Sequence, residues 1–215
     1  MEEVVSFIRP GMREKDVAEK ARALFLERGV ASFWYHGIAA RVLAGPRSLL
    51  SGSGRDYQPA EIPIGEEDFL TVDLTPEKEG VWGDYARSIF VREGRASLTA
   101  DPAQEEAHAG AALEVFLHQR LRETARPGMT VDALCADMNG VIAARGFRNL
   151  DFKGNLGHSI ERDLKGRRFL ERGNALPLGE LGLFTFEPHL CREGGAKGLK
   201  HEDMYYFSGD RLLAV

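Results

Sequence analysis

The chain has 215 residues, of which 43% are hydrophobic and 28% charged, with a formal net charge of -5 at pH 7. This length supports one substantial hydrophobic core, so we predict a single domain over residues 1–215. A pI near 5.7 offers no basic surface for nucleic acid. No apolar run approaches the roughly 18 residues that would span a bilayer. We therefore expect neither nucleic acid nor a membrane as a partner.

The amino terminus and the cysteines indicate the compartment. The first residues, MEEVVSF, are acidic where a signal peptide carries positive charge. Cys135 and Cys191 are the only cysteines and do not form a CxxC motif, which favours reduced thiols over a disulfide framework or a thiolate zinc site. We expect a cytoplasmic protein.

Two helix patterns in the chain match each other. Residues 13–28 carry apolar side chains at helical spacing, follow the tetrapeptide RPGM at 9–12, and end at Gly29. A second RPGM at 126–129 precedes a helix pattern that closes at residues 145–146. Both ends of the two patterns lie 117 positions apart. This match in register predicts two structurally similar halves.

The regions around these helices are mostly irregular. Residues 45–68 are rich in Gly, Ser and Pro and are predicted to form a loop. A longer helix is predicted over residues 102–124, with Asp101 as its N-cap. Residues 152–182 show no regular pattern, although they contain the tetrapeptide GHSI with His158.

Two aspartates occupy the strand pattern of residues 69–91. Asp73 and Asp84 lie in separate apolar or aromatic runs joined by a polar turn, which is typical of a β-hairpin. With the turn centred on residues 78–79, counting places Asp73 directly opposite Asp84. Two facing carboxylates on a half-buried sheet are unfavourable unless a cation lies between them. This hairpin is the first indication of a metal.

The second half offers a comparable hairpin. Residues 183–190 form a strand pattern that contains Glu187, and residues 199–207 form another that contains Glu202. A tight turn centred on residues 194–195, both glycines, would place Glu187 opposite Glu202.

Four acidic side chains and one imidazole from these segments would form an oxygen-rich site for two divalent ions. Two such ions can share a water molecule and lower its pKa towards neutrality. A ligand set without thiolates favours manganese, cobalt or iron and permits zinc. The candidate ligands are Asp73, Asp84, His158, Glu187 and Glu202.

The sequence contexts of these five residues, TVDLT, GDYARSIFV, GHSI, FTFEP and HED, resemble the methionine aminopeptidase, prolidase and creatinase superfamily. The resemblance covers nearly the whole chain. It implies the α+β pita-bread fold, with two pseudo-symmetric halves and a curved antiparallel sheet covered by helices.

The resemblance also implies roles for the five residues. Asp73 would bind one metal, Asp84 and Glu202 would bridge two, and His158 and Glu187 would complete the other. The implied catalytic residues are His158 and Glu187, the latter as general base and then acid for a hydroxide that bridges the metals. Two divalent ions are the implied cofactors, manganese first, with cobalt or zinc as alternatives.

Several details favour the prolidase branch, which cleaves Xaa-Pro dipeptides. Arg87 completes a D-x-x-R motif with Asp84, and Lys200 stands where that branch often has arginine. Against this, the HE-x-P segment after the GH motif is replaced by ERDLKGRRF at residues 161–169, and no upstream substrate-facing histidine is evident. A methionine aminopeptidase, another N-terminal aminopeptidase of this fold, or a non-catalytic binding module are the alternatives.

The expected partner is a small peptide substrate. Its candidate contacts are His36, Arg87, His189 and Lys200, with His201, Tyr57, Arg55 and Arg167 as further possibilities. We expect the protein to lack the separate N-terminal domain of ordinary prolidases, and we expect a homodimer to cover the pocket instead.

Overall fold

The chain forms four α-helices and thirteen β-strands. The computed structural model describes residues 1–215. The helices are α1 (Glu2–Phe7), α2 (Glu14–Glu27), α3 (Glu105–Thr124) and α4 (Val131–Ala144). The strands are β1 (Ser32–Phe33), β2 (Ala40–Ala44), β3 (Asp68–Leu74), β4 (Pro76–Lys78), β5 (Val81–Trp82), β6 (Tyr85–Arg92), β7 (Arg95–Ser97), β8 (Phe147–Asn149), β9 (Phe184–Phe186), β10 (His189–Arg192), β11 (Leu199–Lys200), β12 (Asp203–Ser208) and β13 (Arg211–Ala214). The predicted loop at 45–68 contains two short 3₁₀ turns and a bridge from Pro63 to Arg13, and its last residue, Asp68, begins β3.

The strands form antiparallel sheets in two halves. The first half contains the four-stranded sheet β2-β3-β6-β7, and the second contains the three-stranded sheets β11-β10-β8 and β13-β12-β9. The halves join along β6, where Arg87 forms a bridge with His201 and the Glu202 amide donates to the Ala86 carbonyl at 2.9 Å. This junction brings the two hairpins together.

Each half has its own hydrophobic core. One cluster of 19 buried residues includes apolar side chains of α3 and α4, and another of 13 buried residues includes those of α1 and α2. A third, smaller cluster joins Phe69 and Phe90 of the first half to Ala107 and Leu199 of the second. Burial of apolar surface therefore stabilises each half and the junction between them. The predicted α+β fold with two similar halves is confirmed.

The repeated helices begin and end as predicted. Helices α2 and α4 have the same length and are offset by 117 positions, and Gly29 and Gly146 follow them with φ angles of 71° and 74°. Glycine adopts this left-handed conformation without a Cβ penalty. Helix α3 begins at Glu105 rather than residue 102, because Asp101 accepts the Ala103 amide at 2.8 Å in a separate turn. Helix α1 was not predicted.

The first hairpin corrects the predicted register. Asp73 pairs with Ala86, and the turn lies at Glu79-Gly80, whose φ angles are 55° and 75°. Positive φ at both central residues is what a type I′ turn requires. The turn is one residue later than predicted, so Asp84 is a diagonal neighbour of Asp73 rather than its direct partner. Both still face the same side, because side chains alternate along a strand.

The second hairpin has the predicted alignment but not the predicted turn. Phe186 pairs with Asp203, and His189 pairs with Lys200. These flanking pairs share one alignment, which places Glu187 opposite Glu202. Residues 193–198 connect β10 to β11, so the connection is longer than the predicted two-residue turn.

Gly157, which directly precedes His158, lies where the backbone requires a glycine. Its φ is 144°, and a Cβ at this position would lie 2.3 Å from the Thr185 carbonyl oxygen. We expect Gly157→Ala to destabilise the protein by roughly 2–5 kcal/mol, from backbone strain and overpacking together. Thermal unfolding measures this loss.

Gly173→Ala is the matched control, since Gly173 also has positive φ, 86°, but no atom lies within 4 Å of the added Cβ. It should cost about 1 kcal/mol. Equal losses in the two variants would show that the contact with Thr185 is unimportant.

Candidate metal centre and active site

Five side chains from both halves lie close together, and four of them line a cavity of about 530 Å³: Asp73, Asp84, His158 and Glu187. The fifth, Glu202, is fully buried and does not line the cavity. Asp73 lies on β3, Asp84 immediately before β6, and Glu202 immediately before β12. Glu187 lies between β9 and β10, and His158 forms a bridge with Phe169 in the irregular segment. Asp73 is held by strands on both sides, and the other three carboxylates lie next to strand ends.

The distances are suited to shared coordination. Carboxylate oxygens of Asp73, Glu187 and Glu202 lie within 4.8 Å of one another. The Nε2 atom of His158 is 3.3 Å from Oδ2 of Asp84 and 3.8 Å from Oε1 of Glu187. The sequence thus predicted which residues lie close together. That they bind a metal stays a prediction.

His158 is oriented for ligation through Nε2. Its Nδ1 lies 2.9 Å from the Ser159 carbonyl oxygen, which can only accept, so Nδ1 carries the hydrogen. Nε2 therefore points at Asp84 and Glu187. Burial alone would lower the pKa of His158, but the hydrogen bond with Asp84 and the charge of Glu187 leave it raised.

The carboxylate of Glu202 lacks hydrogen-bond partners. Glu202 is fully buried, and neither of its carboxylate oxygens has a hydrogen-bond partner. Burial raises the pKa of Glu202 well above its usual value, and the charges of Asp84 and Glu187 raise it further. Burial also raises the pKa of Asp84. Unpaired buried carboxylate oxygens are costly, and divalent ions satisfy them, so this donor set fits a metal centre.

Lys200 lies among the candidate ligands rather than apart from them. Its Nζ is 2.7 Å from Oδ2 of Asp73, 2.7 Å from Oε2 of Glu187 and 3.9 Å from Oε2 of Glu202. Burial would lower the pKa of Lys200, but these three carboxylates hold it well above its usual value. The ammonium therefore neutralises part of the acidic cluster. Lys200 also lines the cavity, and its contact with a substrate stays a prediction.

Two other predicted substrate contacts lie outside the cavity wall. Arg87 forms an ion pair with Asp203 at 2.6 Å and donates to the Glu202 carbonyl at 2.5 Å. It therefore holds the strand that carries Glu202 and is not free to bind a peptide. His36 is exposed in a turn beside Tyr35. Neither position supports direct substrate binding.

His189 does line the cavity. Its Nε2 donates to the Ser48 carbonyl at 2.7 Å, and burial lowers its pKa to about 4. His189 is therefore neutral at physiological pH. A neutral imidazole can position a polar group but brings no charge.

The cavity contains residues that sequence reasoning missed. Trp34, Arg41 and Phe169 line it, and the Arg167 guanidinium lies 5.3 Å from the ring centroids of Trp34 and Phe169. Arg41 was detectable as the charged residue of the otherwise apolar strand β2. No spacing rule brings the distant Trp34 and Phe169 together.

Glu114 is buried outside the cavity, on α3, and neither carboxylate oxygen has a hydrogen-bond partner. Burial raises its pKa well above 4.5, against the charges of Arg87 and Lys200. With a raised pKa the folded state retains the proton that the unfolded state releases, so this group reduces stability as pH rises above about 4.5.

Glu114→Gln should remove this pH-dependent loss. We expect the free energy of unfolding to rise by roughly 1 kcal/mol or more at pH 8 and the gain to shrink towards pH 4.5. Urea unfolding across this pH range measures it. Glu105→Gln, on the same helix with an 85% exposed side chain, is the control and should change little. A gain independent of pH would contradict the interpretation.

The fold is that of solved pita-bread peptidases. The structure superimposes on an X-Pro aminopeptidase from Thermotoga maritima with a TM-score of 0.79 and 22% identity, over 99% of this chain and 55% of that one. It matches a prolidase from Pyrococcus furiosus (TM-score 0.77, 20% identity, 98% and 57%) and an Xaa-Pro dipeptidase from Bacillus anthracis (0.77, 22%, 99% and 55%). The chain spans about half the length of these proteins.

No curated protein matches the chain. None of its helices is long and apolar enough to cross a membrane. The model of metallopeptidase family M24 matches residues 1–208. With this match over nearly the whole chain, and with the predicted ligand residues gathered at the junction of two similar halves, the chain belongs to metallopeptidase family M24.

Proposed function

We propose that the chain is an exopeptidase that uses two divalent ions, manganese first among them, to hydrolyse the Xaa-Pro bond of dipeptides. The observation that carries this proposal is the convergence of four carboxylates and His158, in which both oxygens of one carboxylate, that of Glu202, have no hydrogen-bond partner. The four carboxylates outnumber the Lys200 ammonium among them, and burying the excess negative charge is unfavourable without a further cation.

Bound divalent ions would supply an activated water molecule and polarise the scissile carbonyl. Glu187 is the residue placed to move the proton. Its Oε1 accepts from the Thr185 hydroxyl at 3.2 Å, and its Oε2 accepts from Lys200 at 2.7 Å. These contacts fix the carboxylate at the cavity wall, where it can take a proton from water and pass it to the leaving imino nitrogen.

Xaa-Pro specificity draws support from the named structural neighbours and from the cavity wall. Trp34 meets the His158 ring edge-on at a centroid distance of 5.3 Å, and the Phe169 ring centroid lies 5.3 Å from the Arg167 guanidinium. Aromatic faces suit the ring of a proline residue. A homodimer in the cytoplasm remains part of the proposal, and light scattering tests the dimer; a fully active monomer would contradict it.

Proline release from a panel of Xaa-Pro dipeptides tests the activity. Metal-stripped protein is reloaded with manganese, cobalt or zinc, and Glu187→Gln is the control, with bound metal measured by mass spectrometry. We expect metal-dependent release that falls by about 10²–10⁴-fold in the variant, the usual range for general acid–base catalysis. Cleavage of Met-Ala-Ser instead would favour a methionine aminopeptidase. Inactivity on all peptides with metal bound would favour a binding module.

A further inference from the structure

Arg41 lies in the wall of the cavity beside the candidate metal ligands. On β2, Arg41 and Leu43 pair with Asp73 and Thr71 of β3, and all four residues line the cavity. Cross-strand partners project from the same face of a sheet. The neighbours Ala40 and Val42 face the core. The arginine side chain is therefore directed to the substrate side of the sheet.

The guanidinium of Arg41 has no anionic partner. One terminal nitrogen donates to the Leu50 carbonyl at 3.3 Å, while Nε is buried without any hydrogen-bond partner. Its cross-strand neighbour Asp73 is paired with Lys200 instead, at 2.7 Å. Asp151, also in the wall, accepts from the Ser51 hydroxyl at 2.7 Å and from Asn155 at 2.9 Å. Neither carboxylate neutralises Arg41.

A buried donor without a partner is costly, and the planar guanidinium matches a carboxylate in shape and charge. We infer that Arg41 binds a carboxylate of the substrate, so that acidic peptides are preferred. This inference rests on the proposed peptidase function. A peptide amine held at Asp73 would place the side chain of the first residue beside Arg41, which favours an acidic first residue. The C-terminal carboxylate is the other source of the same group.

The test uses binding of uncleavable peptide analogues, in which a methylene replaces the scissile carbonyl, to the manganese-loaded protein by calorimetry. Glu-Pro is compared with Gln-Pro, and Gln-Pro with its C-terminal amide. Arg41→Met is compared with Arg95→Met, which removes an exposed arginine of β7 outside the cavity. We expect a carboxylate preference of about 10- to 100-fold, the range for a charged hydrogen bond, that is lost only in Arg41→Met.

Loss of the Glu-Pro preference identifies the first side chain as the source, and loss of the acid-over-amide preference identifies the C terminus. Glu-Ala and Gln-Ala analogues separate this inference from the proline assignment. An Arg41-dependent preference that persists with alanine supports the inference even if Xaa-Pro hydrolysis fails. The inference is overturned if no peptide shows a carboxylate preference, or if Arg41→Met retains it.

Discussion

Lys200→Met is expected to destabilise the protein in EDTA by about 3–5 kcal/mol, the usual cost of leaving buried charges without their partner. The Lys200 ammonium lies 2.7 Å from both Asp73 and Glu187, and its side chain is only 14% exposed. Its removal leaves these carboxylates and the buried Glu202 repelling one another. Unfolding in EDTA measures the loss.

Divalent ions should reverse this loss, because they supply the positive charge that the variant lacks. Manganese should therefore raise the melting temperature of Lys200→Met more than that of the wild type. Lys197→Met is the matched control, since Lys197 contacts Glu106 at 3.8 Å outside the cluster. If both variants lose little stability in EDTA and respond alike to manganese, the assigned role of Lys200 is wrong.

The fold could be predicted where local rules act alone. Helices α2 and α4 end at glycines in the left-handed conformation, so sequence spacing located them closely. The register of the first hairpin could not be predicted in this way. Glu79 adopts positive φ without being glycine, so residue type alone did not reveal the turn. Helix α3 starts late because Asp101 caps a separate turn.

The candidate site shows a similar division. The five ligand candidates follow from strand alternation and from the family resemblance. The shifted register does not change them, because a two-residue slip keeps side chains on the same face of the sheet. The directions in which long side chains extend do not follow from strand alternation or from the resemblance. Lys200 extends into the acidic cluster and Arg87 away from the cavity. These directions depend on which strands meet at the junction of the halves, which no local pattern specifies.

Asp84→Asn is expected to weaken manganese binding by at least about 100-fold, the upper range seen when only an outer-sphere group is lost. Asp84 is 4% exposed and lies 3.3 Å from His158 Nε2, so its carboxylate is placed to share a metal with that ring. The amide is isosteric but uncharged. Metal content after dialysis and calorimetric titration measure the change, and hydrolysis should fall with it.

Asp151→Asn provides the matched control for this experiment. Asp151 lines the same cavity, but its carboxylate is occupied by Ser51 and Asn155. Its manganese affinity should stay within about threefold of the wild type, a difference below 1 kcal/mol. Thermal unfolding of the metal-free protein separates misfolding from ligand loss. A normally stable Asp84→Asn protein that still binds manganese like the wild type would exclude Asp84 as a ligand.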